Sequence, residues 1–156
     1  MRASRNVAWI AAVLCLFGGA SAAEKVTFLS MEEVVNLTND YRAARGLGEL
    51  RINYALAEAA DAQARHQAII EGITHSGPRK EGLGERLKKV RYRPALAAEN
   101  VSMGRQTEEK VVDAWIRSPS HHRALIEPGV TEIGVGAALG PDGRVYWSMI
   151  LADPLQ

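Results

Sequence analysis

The sequence predicts an α+β domain, and two features of the chain support that prediction. Apolar residues recur at helical spacing in the first part of the chain, for example at Met31, Val34, Leu37 and Tyr41. The last part contains two strand-like runs, 130–139 and 144–151, which are joined by the turn sequence Gly140-Pro141-Asp142-Gly143. Helices that precede an antiparallel hairpin in this way are typical of α+β folds.

The N-terminal residues predict export. Arg2 and Arg5 form a basic segment, residues 7–17 are uncharged and mostly apolar, and Ala20-Ser21-Ala22 offers small residues to signal peptidase. A single membrane anchor is the alternative interpretation. A helix that spans a bilayer needs about 20 apolar residues, however, and this run is shorter. The pattern therefore favours a cleaved signal peptide.

We interpret residues 1–22 as this signal peptide and residues 30–153 as one folded domain without a transmembrane segment. The expected location of the protein is secreted or periplasmic. Cys15 is the only cysteine and lies inside the apolar run, where Leu14 precedes it instead of the small residue that a lipoprotein signal prefers. The domain is therefore expected to fold without disulfides.

The charge balance argues against nucleic acid as a partner. Removing Arg2 and Arg5 leaves 17 of the 19 basic residues, against 18 acidic residues. Proteins that follow a phosphate backbone carry a basic stripe and a high isoelectric point instead. One basic cluster is present, and we interpret it as a solvated helix face. Its members are Arg86, Lys88, Lys89, Arg91 and Arg93.

Capping residues predict where the first helices begin and end. Ser30 with Glu33 forms a capping box for a first helix, which Gly46 ends. Asn53 caps a second, alanine-rich helix. Gly72 is expected to supply the left-handed residue that follows this second helix.

The next segments are shorter. A helix is predicted over residues 83–90 and an extended segment over residues 97–103. Thr107 caps a further helix with acidic residues in its first turn. Ser118-Pro119 then restarts a helix, because proline is tolerated at the first helical position. In the hairpin, Gly134 and Gly136 share one strand face, which permits close approach of another element.

Four short motifs occur in order along the chain and supply two imidazoles and two carboxylates. They read His75-Ser76, Gly84-Glu85-Arg86-Leu87, Ala98-Glu99-Asn100-Val101 and Trp115-Ile116-Arg117-Ser118-Pro119-Ser120-His121. In this order and spacing they resemble the CAP domain, the SCP-like superfamily of cysteine-rich secretory proteins, antigen 5 and pathogenesis-related 1 proteins. The small bacterial, cysteine-poor branch is the most similar. The resemblance extends from about Met31 to Leu151.

The last motif is followed by a second histidine, so the sequence must be used to decide whether His121 or His122 faces the site. His121 and His122 are adjacent on a predicted helix, so their side chains point about 100° apart and only one can face a given cavity. The resemblance favours His121. As a first-turn residue, His121 is expected to stay neutral, because the positive helix N-terminus disfavours imidazolium. Glu81 competes in the same way with Glu85, and only the Gly-Glu-Arg-Leu motif separates them.

The resemblance implies a three-layer α-β-α sandwich with a small central antiparallel sheet. It also implies that His75, Glu85, Glu99 and His121 line one ligand-binding cleft. Two imidazoles suit a divalent cation such as Zn²⁺, with His75 and His121 as the metal ligands and the carboxylates as direct ligands or supports of the rings. The same groups could instead form a hydrogen-bonded structural cluster.

Three functions stay open from the sequence. The first is a protein of the cell envelope whose cleft binds a divalent metal or a small ligand, with lipids among the family's ligands. The second is a metal-dependent hydrolase with Glu85 or Glu99 as general base. The third is a non-catalytic interaction scaffold. The sequence contains no Gly-x-Ser-x-Gly elbow, phosphate-binding loop or dinucleotide fingerprint, and residues 23–156 contain no cysteine nucleophile, which argues against acyl transfer by a familiar triad.

Overall fold

The computed structural model describes residues 29–155, so the predicted signal peptide, residues 1–22, lies outside the described residues. The elements follow in the order α1 (Met31–Ala43), β1 (Arg51–Ile52), α2 (Tyr54–Ile70), α3 (Leu83–Lys89), β2 (Pro94–Met103), α4 (Glu108–Arg117), α5 (Pro119–Leu125), β3 (Glu132–Leu139) and β4 (Val145–Pro154). None of the five helices between residues 29 and 155 has the length and apolarity that a membrane crossing requires.

The four strands form one sheet in the order β1-β3-β4-β2. Strands β3, β4 and β2 pair antiparallel, as expected, whereas β1 runs parallel to β3 and makes the sheet mixed. Strand β1 contains only two residues, too few to show an alternating pattern in the sequence. It is held by hydrogen bonds from the Arg51 and Asn53 amides to the carbonyls of Thr131 and Ile133.

Helices cover both faces of the sheet, which confirms the α+β sandwich. One core cluster joins α1, α4 and α5 to the face of β4 that carries Trp147, Met149 and Leu151. The other cluster joins α2 and α3 to the opposite face of β4, through Ile150 and Ala152. Strand β4 is therefore buried on both faces, as the central position of a sandwich requires.

Two glycines of β3 allow α2 to lie directly on the sheet. A Cβ at Gly134 would lie 2.2 Å from the Ala57 nitrogen, and one at Gly136 would lie 2.3 Å from the Asp61 Cα. No side chain fits at either position, because the obstacle is helix backbone. This close approach confirms the prediction from the sequence and sets the distance between α2 and the sheet.

Local signals in the sequence predict three helix starts, although the capping box of α1 is only half formed, because the Ser30 amide donates to Glu108 and not to Glu33. Side-chain oxygens of Ser30, Asn53 and Thr107 accept hydrogen bonds from the first-turn amides of α1, α2 and α4. The end of α2 differs from the prediction: Glu71, and not Gly72, adopts the left-handed conformation, with φ of 49°. The amide of Gly72 donates to the Gln67 carbonyl, so the reversal occurs one residue earlier than the glycine.

Candidate functional site

Glu99 lies at the centre of the candidate site and accepts four hydrogen bonds. Its Oε1 accepts from Arg86 Nη1 at 2.9 Å and from Ser148 Oγ at 3.2 Å. Its Oε2 is 3.0 Å from Arg86 Nη2 and 2.9 Å from His75 Nδ1. Only 4 % of the Glu99 side chain is exposed. The four partners engage both oxygens, so the buried carboxylate is held in a fixed orientation.

Arg86 is buried, which corrects its assignment to a solvated basic face. Its side chain is only 6 % exposed and forms a two-pronged ion pair with Glu99. Helix periodicity explains the burial: Leu83, Arg86, Leu87 and Val90 follow the i, i+3, i+4, i+7 spacing of one helix stripe. The sequence does not single out Arg86 for burial, because it is one of five neighbouring basic residues. The other four members of the basic cluster are exposed.

Buried side chains of α2 and α3 hold the segment that carries His75. Gln63 Nε2 donates to the carbonyls of Thr74, at 2.6 Å, and Ser76, at 3.2 Å. Arg86 Nη2 donates to the carbonyl of His75 itself at 3.2 Å. Three consecutive carbonyls are thus bound by side chains from α2 and α3. This leaves the imidazole of His75, which is 60 % exposed, in a defined position at the surface.

His121 reaches the site from the opposite layer of the sandwich. It lies in the first turn of α5, and Asn100 Nδ2 donates to its carbonyl at 3.0 Å. Burial, followed by the nearby charge of His75, lowers the pKa of His121 below its usual range. The sequence predicted a neutral ring for this residue, but on the basis of the helix dipole. Burial and the second imidazole are the causes that the structure supplies.

His122 points elsewhere. Its Nε2 is 2.9 Å from the Tyr41 hydroxyl, and the two rings meet edge to face with their centroids 5.9 Å apart. Arg45 stacks on the Tyr41 ring, with its guanidinium carbon 3.4 Å from the ring centre. His122 therefore ties α5 to α1, and His121 is the histidine that faces the cleft.

Glu85 is not brought into the cleft. Its side chain is exposed, and its Oε2 accepts from the Gly82 amide at 3.3 Å, so it caps the start of α3. Glu81 is buried instead and binds Lys89 and the Arg79 amide. The Lys89 ammonium is the largest influence that lowers the pKa of Glu81, to about 2. Both carboxylates therefore have local structural partners away from His121.

The cleft between α5 and the edge of β2 has a volume of about 330 Å³. His75, Glu99 and His121 line it, together with Leu96, Ala98, Asn100, Ser120, Arg123, Ala124 and Glu127. Three of the four predicted residues are thus brought together. Between residues 29 and 155, no group of three or more His, Cys, Asp or Glu side chains is arranged to hold a metal ion. An ion at this cleft would therefore have protein ligands from the two imidazoles, with water or a ligand in its other positions.

The hydrogen bonding of His75 resembles that of a metal-binding histidine. The Nδ1 of His75 is engaged by a fixed carboxylate, which leaves Nε2 as the ring nitrogen free to bind. Metal-binding histidines usually have a carboxylate or carbonyl on the other ring nitrogen, because it fixes the tautomer and raises the basicity of the ligand. Glu99 suits this supporting role better than that of general base, since all its acceptor positions are filled.

The chain belongs to the Cysteine-rich secretory protein family, CAP, whose model matches residues 35–151. Over 105 residues the chain is 32 % identical to the protein YkwD of Bacillus subtilis, a match that covers 67 % of this chain and 41 % of YkwD. It is 26 % identical over 113 residues to the membrane protein YlbC of the same organism, which covers 72 % of this chain and 33 % of YlbC. The chain thus spans less than half the length of either relative.

Solved structures show the same fold. An outer surface protein from Borrelia burgdorferi has a TM-score of 0.73 at 23 % identity, over 80 % of this chain and 92 % of that one. An extracellular protein with an SCP domain from Bacillus anthracis has a TM-score of 0.71 at 23 % identity, over 78 % of this chain and 39 % of that one. Both likenesses confirm the CAP sandwich.

Proposed function

We propose that this chain is an exported CAP protein, secreted or periplasmic, whose cleft binds a divalent first-row cation through His75 and His121. Export is supported by the signal-like pattern of residues 1–22 and by the description of the two structural neighbours as extracellular and outer surface proteins. These neighbours share the fold with this chain, and their location supports the proposal.

One observation carries the binding proposal: His75 Nδ1 lies 2.9 Å from a carboxylate that Arg86 holds in place. His121, whose pKa is lowered, supplies a second imidazole in the neutral form that a cation requires. A bound ion with only two protein ligands would keep open positions. It would supply Lewis acidity and a place for a small anionic or carbonyl-bearing ligand.

A zinc titration monitored by thermal unfolding tests this proposal. Metal that binds only the native state raises Tm with the logarithm of its excess over Kd. His75→Ala and His121→Ala should each remove most of this shift. His122→Ala is the matched control, because it alters the neighbouring histidine of the same helix. Equal zinc shifts in wild type and in both site variants would contradict the proposal.

Lipid binding is a second candidate, and one cavity favours it. This cavity of about 610 Å³ combines three cations, Lys88, Arg91 and Arg93, with apolar surface from Tyr92, Pro94 and Leu155. Such a lining suits an anionic headgroup above an acyl chain. Flotation with phosphatidylglycerol vesicles should recover the wild-type chain and lose it when Lys88, Arg91 and Arg93 are all changed to Glu. Equal recovery with neutral phosphatidylcholine vesicles would count against an anionic lipid.

A further inference from the structure

Strand β2 lies at the edge of the sheet, and part of its outer side is open. It pairs only with β4, as the last strand in the order β1-β3-β4-β2. Residues 95–99 are exposed or half-buried, whereas residues 100–102 are buried. The open part of the edge therefore coincides with the cleft that contains Glu99.

The hydrogen-bond pattern identifies which main-chain groups face outward. In an antiparallel pair, the N–H and C=O of one residue point to the same side, and the side alternates along the strand. The Val101 carbonyl accepts from Trp115 Nε1 at 3.2 Å, so it points away from β4. Ala97 and Glu99 lie four and two residues before Val101 on the same strand, so their main-chain N–H and C=O groups also point away from β4.

The pairing of β4 gives the same answer independently. Ala97 lies opposite Ala152, and the Ala152 carbonyl accepts from the Thr131 amide on the far side of β4. Ala152 thus directs its main chain away from β2, which makes this a pair without mutual hydrogen bonds. Within residues 29–155, no loop or side chain hydrogen-bonds the amide or carbonyl of Ala97 or Glu99. Four main-chain groups are left open.

The open edge has defined ends. The pairing register shifts between Pro94 and Leu96, a bulge that ends regular geometry on one side. At the other end, Trp115 covers the Val101 carbonyl. The window from Ala97 to Glu99 lies between these ends, with His75 on the α2–α3 side and His121 on the α5 side.

We propose that this window binds an extended peptide, which adds to β2 as a fifth strand. Donors and acceptors at strand spacing match another main chain better than they match a rigid small molecule. The side of the cleft opposite β2 presents Arg123 of α5 and Glu127, which follows that helix, so it carries one charge of each sign. The small residues Ala98 and Ala124 lie beside them. A polyanion would be repelled by Glu127, whereas a peptide with mixed side chains can complement both charges. The proposal does not depend on a metal in the cleft.

Amide exchange of the purified chain gives the first test. The Ala97 and Glu99 amides should exchange rapidly, because they have no acceptor, while the intervening Ala98 amide, which faces β4, should be protected. NMR exchange rates distinguish these three residues. Protection of Ala97 and Glu99 comparable with that of Ala98 in the free monomer would overturn the proposal.

Peptide selection gives the second test. A random heptapeptide library is selected against the chain in EDTA, and an enriched peptide is resynthesised with one N-methyl group at each position in turn. Strand addition predicts at least tenfold weaker binding at alternate positions only. Ala97→Pro should abolish binding, because it removes an outward N–H without breaking the ladder to β4, and Ala97→Ser should retain it.

Each alternative outcome has a distinct signature. The proposal is overturned if the wild-type chain enriches no peptide more than the Ala97→Pro variant does. It is also overturned if N-methylation weakens binding at positions that do not alternate along the peptide. A concentration-dependent dimer that Ala97→Pro dissociates, with no peptide enriched, assigns the edge to a second copy and also overturns it. His121→Ala should lose zinc binding yet retain the alternating pattern, so a failed metal site and a failed peptide site can be told apart.

Discussion

Arg86 and Glu99 form a buried, two-pronged ion pair that joins α3 to the edge strand β2, with N–O distances of 2.9 and 3.0 Å. The pair also holds the loop of His75, because Arg86 donates to the His75 carbonyl and Glu99 binds His75 Nδ1. Together with Gln63, which donates to the carbonyls on either side of His75, this pair therefore fixes where the exposed imidazole lies. The predictions below follow from this arrangement and from the packing around it.

Arg86→Ala should strongly destabilise the fold. The substitution leaves a carboxylate buried without its counter-charge, which costs about 3–5 kcal/mol of unfolding free energy. Urea unfolding measures the loss. Lys88→Ala on the exposed side of the same helix is the control and should stay within about 0.5 kcal/mol of wild type. A loss below about 1 kcal/mol for Arg86→Ala, the range of a solvent-exposed ion pair, would contradict the burial of this pair.

The pKa of His121 should lie below that of an ordinary histidine, and NMR titration of the imidazole measures it. His75→Ala should raise the pKa of His121 towards its usual value only in part, because burial, the larger cause, stays in place. His122→Ala should leave it unchanged. A His121 pKa at or above that of a model histidine would contradict the described surroundings of the ring.

The same depression makes stability depend on pH. The unfolded chain takes up a proton at His121 at a higher pH than the folded chain does. The neutral His121 ring therefore makes its full contribution to the unfolding free energy at pH values above the unfolded pKa. This contribution is lost as pH falls from there through the folded value. The unfolding free energy of wild type should therefore fall more steeply than that of His121→Ala as pH drops below about 6.5, the pKa of a free histidine. Parallel curves for the two chains would rule this contribution out.

Gly134→Ala should destabilise the sandwich, because the new methyl would meet the backbone of α2 at 2.2 Å. Overpacking against backbone costs about 1–3 kcal/mol, and here the helix must shift as a unit. Gly84→Ala is the matched control, since nothing lies within 4 Å of its Cβ position in α3. In a helix, alanine is about 0.5–1 kcal/mol more favourable than glycine, so this control should gain stability. Thermal unfolding of both variants tests this: the Tm should fall for Gly134→Ala and rise for Gly84→Ala. An unchanged Tm for Gly134→Ala would contradict the close contact between α2 and the sheet.

Signals that depend on a few neighbouring residues could be predicted from the sequence. Ser30, Asn53 and Thr107 cap their helices because a short side-chain oxygen lies just before an apolar-periodic run. The β3–β4 turn is of the same kind: the Gly143 amide donates to the Gly140 carbonyl, and Gly143 takes a φ of 74°. These features need no tertiary information.

The candidate site could be predicted only in part, because its partners come from distant segments. The motifs pointed to His75, Glu99 and His121, and the structure brings these three to one cleft. They also pointed to Glu85, but adjacent helical residues face different directions, and it is Arg86 that turns inward. The supporting roles of Gln63 and Ser148 have no local signature, because each depends on contacts across the fold.

Calorimetric titration of the folded chain with Zn²⁺ at pH 7.5 tests the central claim most directly. We expect one equivalent of zinc to bind, and we expect the heat to disappear in the His75→Ala, His121→Ala double variant while His122→Ala binds like wild type. Proton competition should weaken the binding as pH falls through the histidine range. No zinc binding to the wild type, or equal binding to the double variant, would contradict the proposed metal site in the cleft.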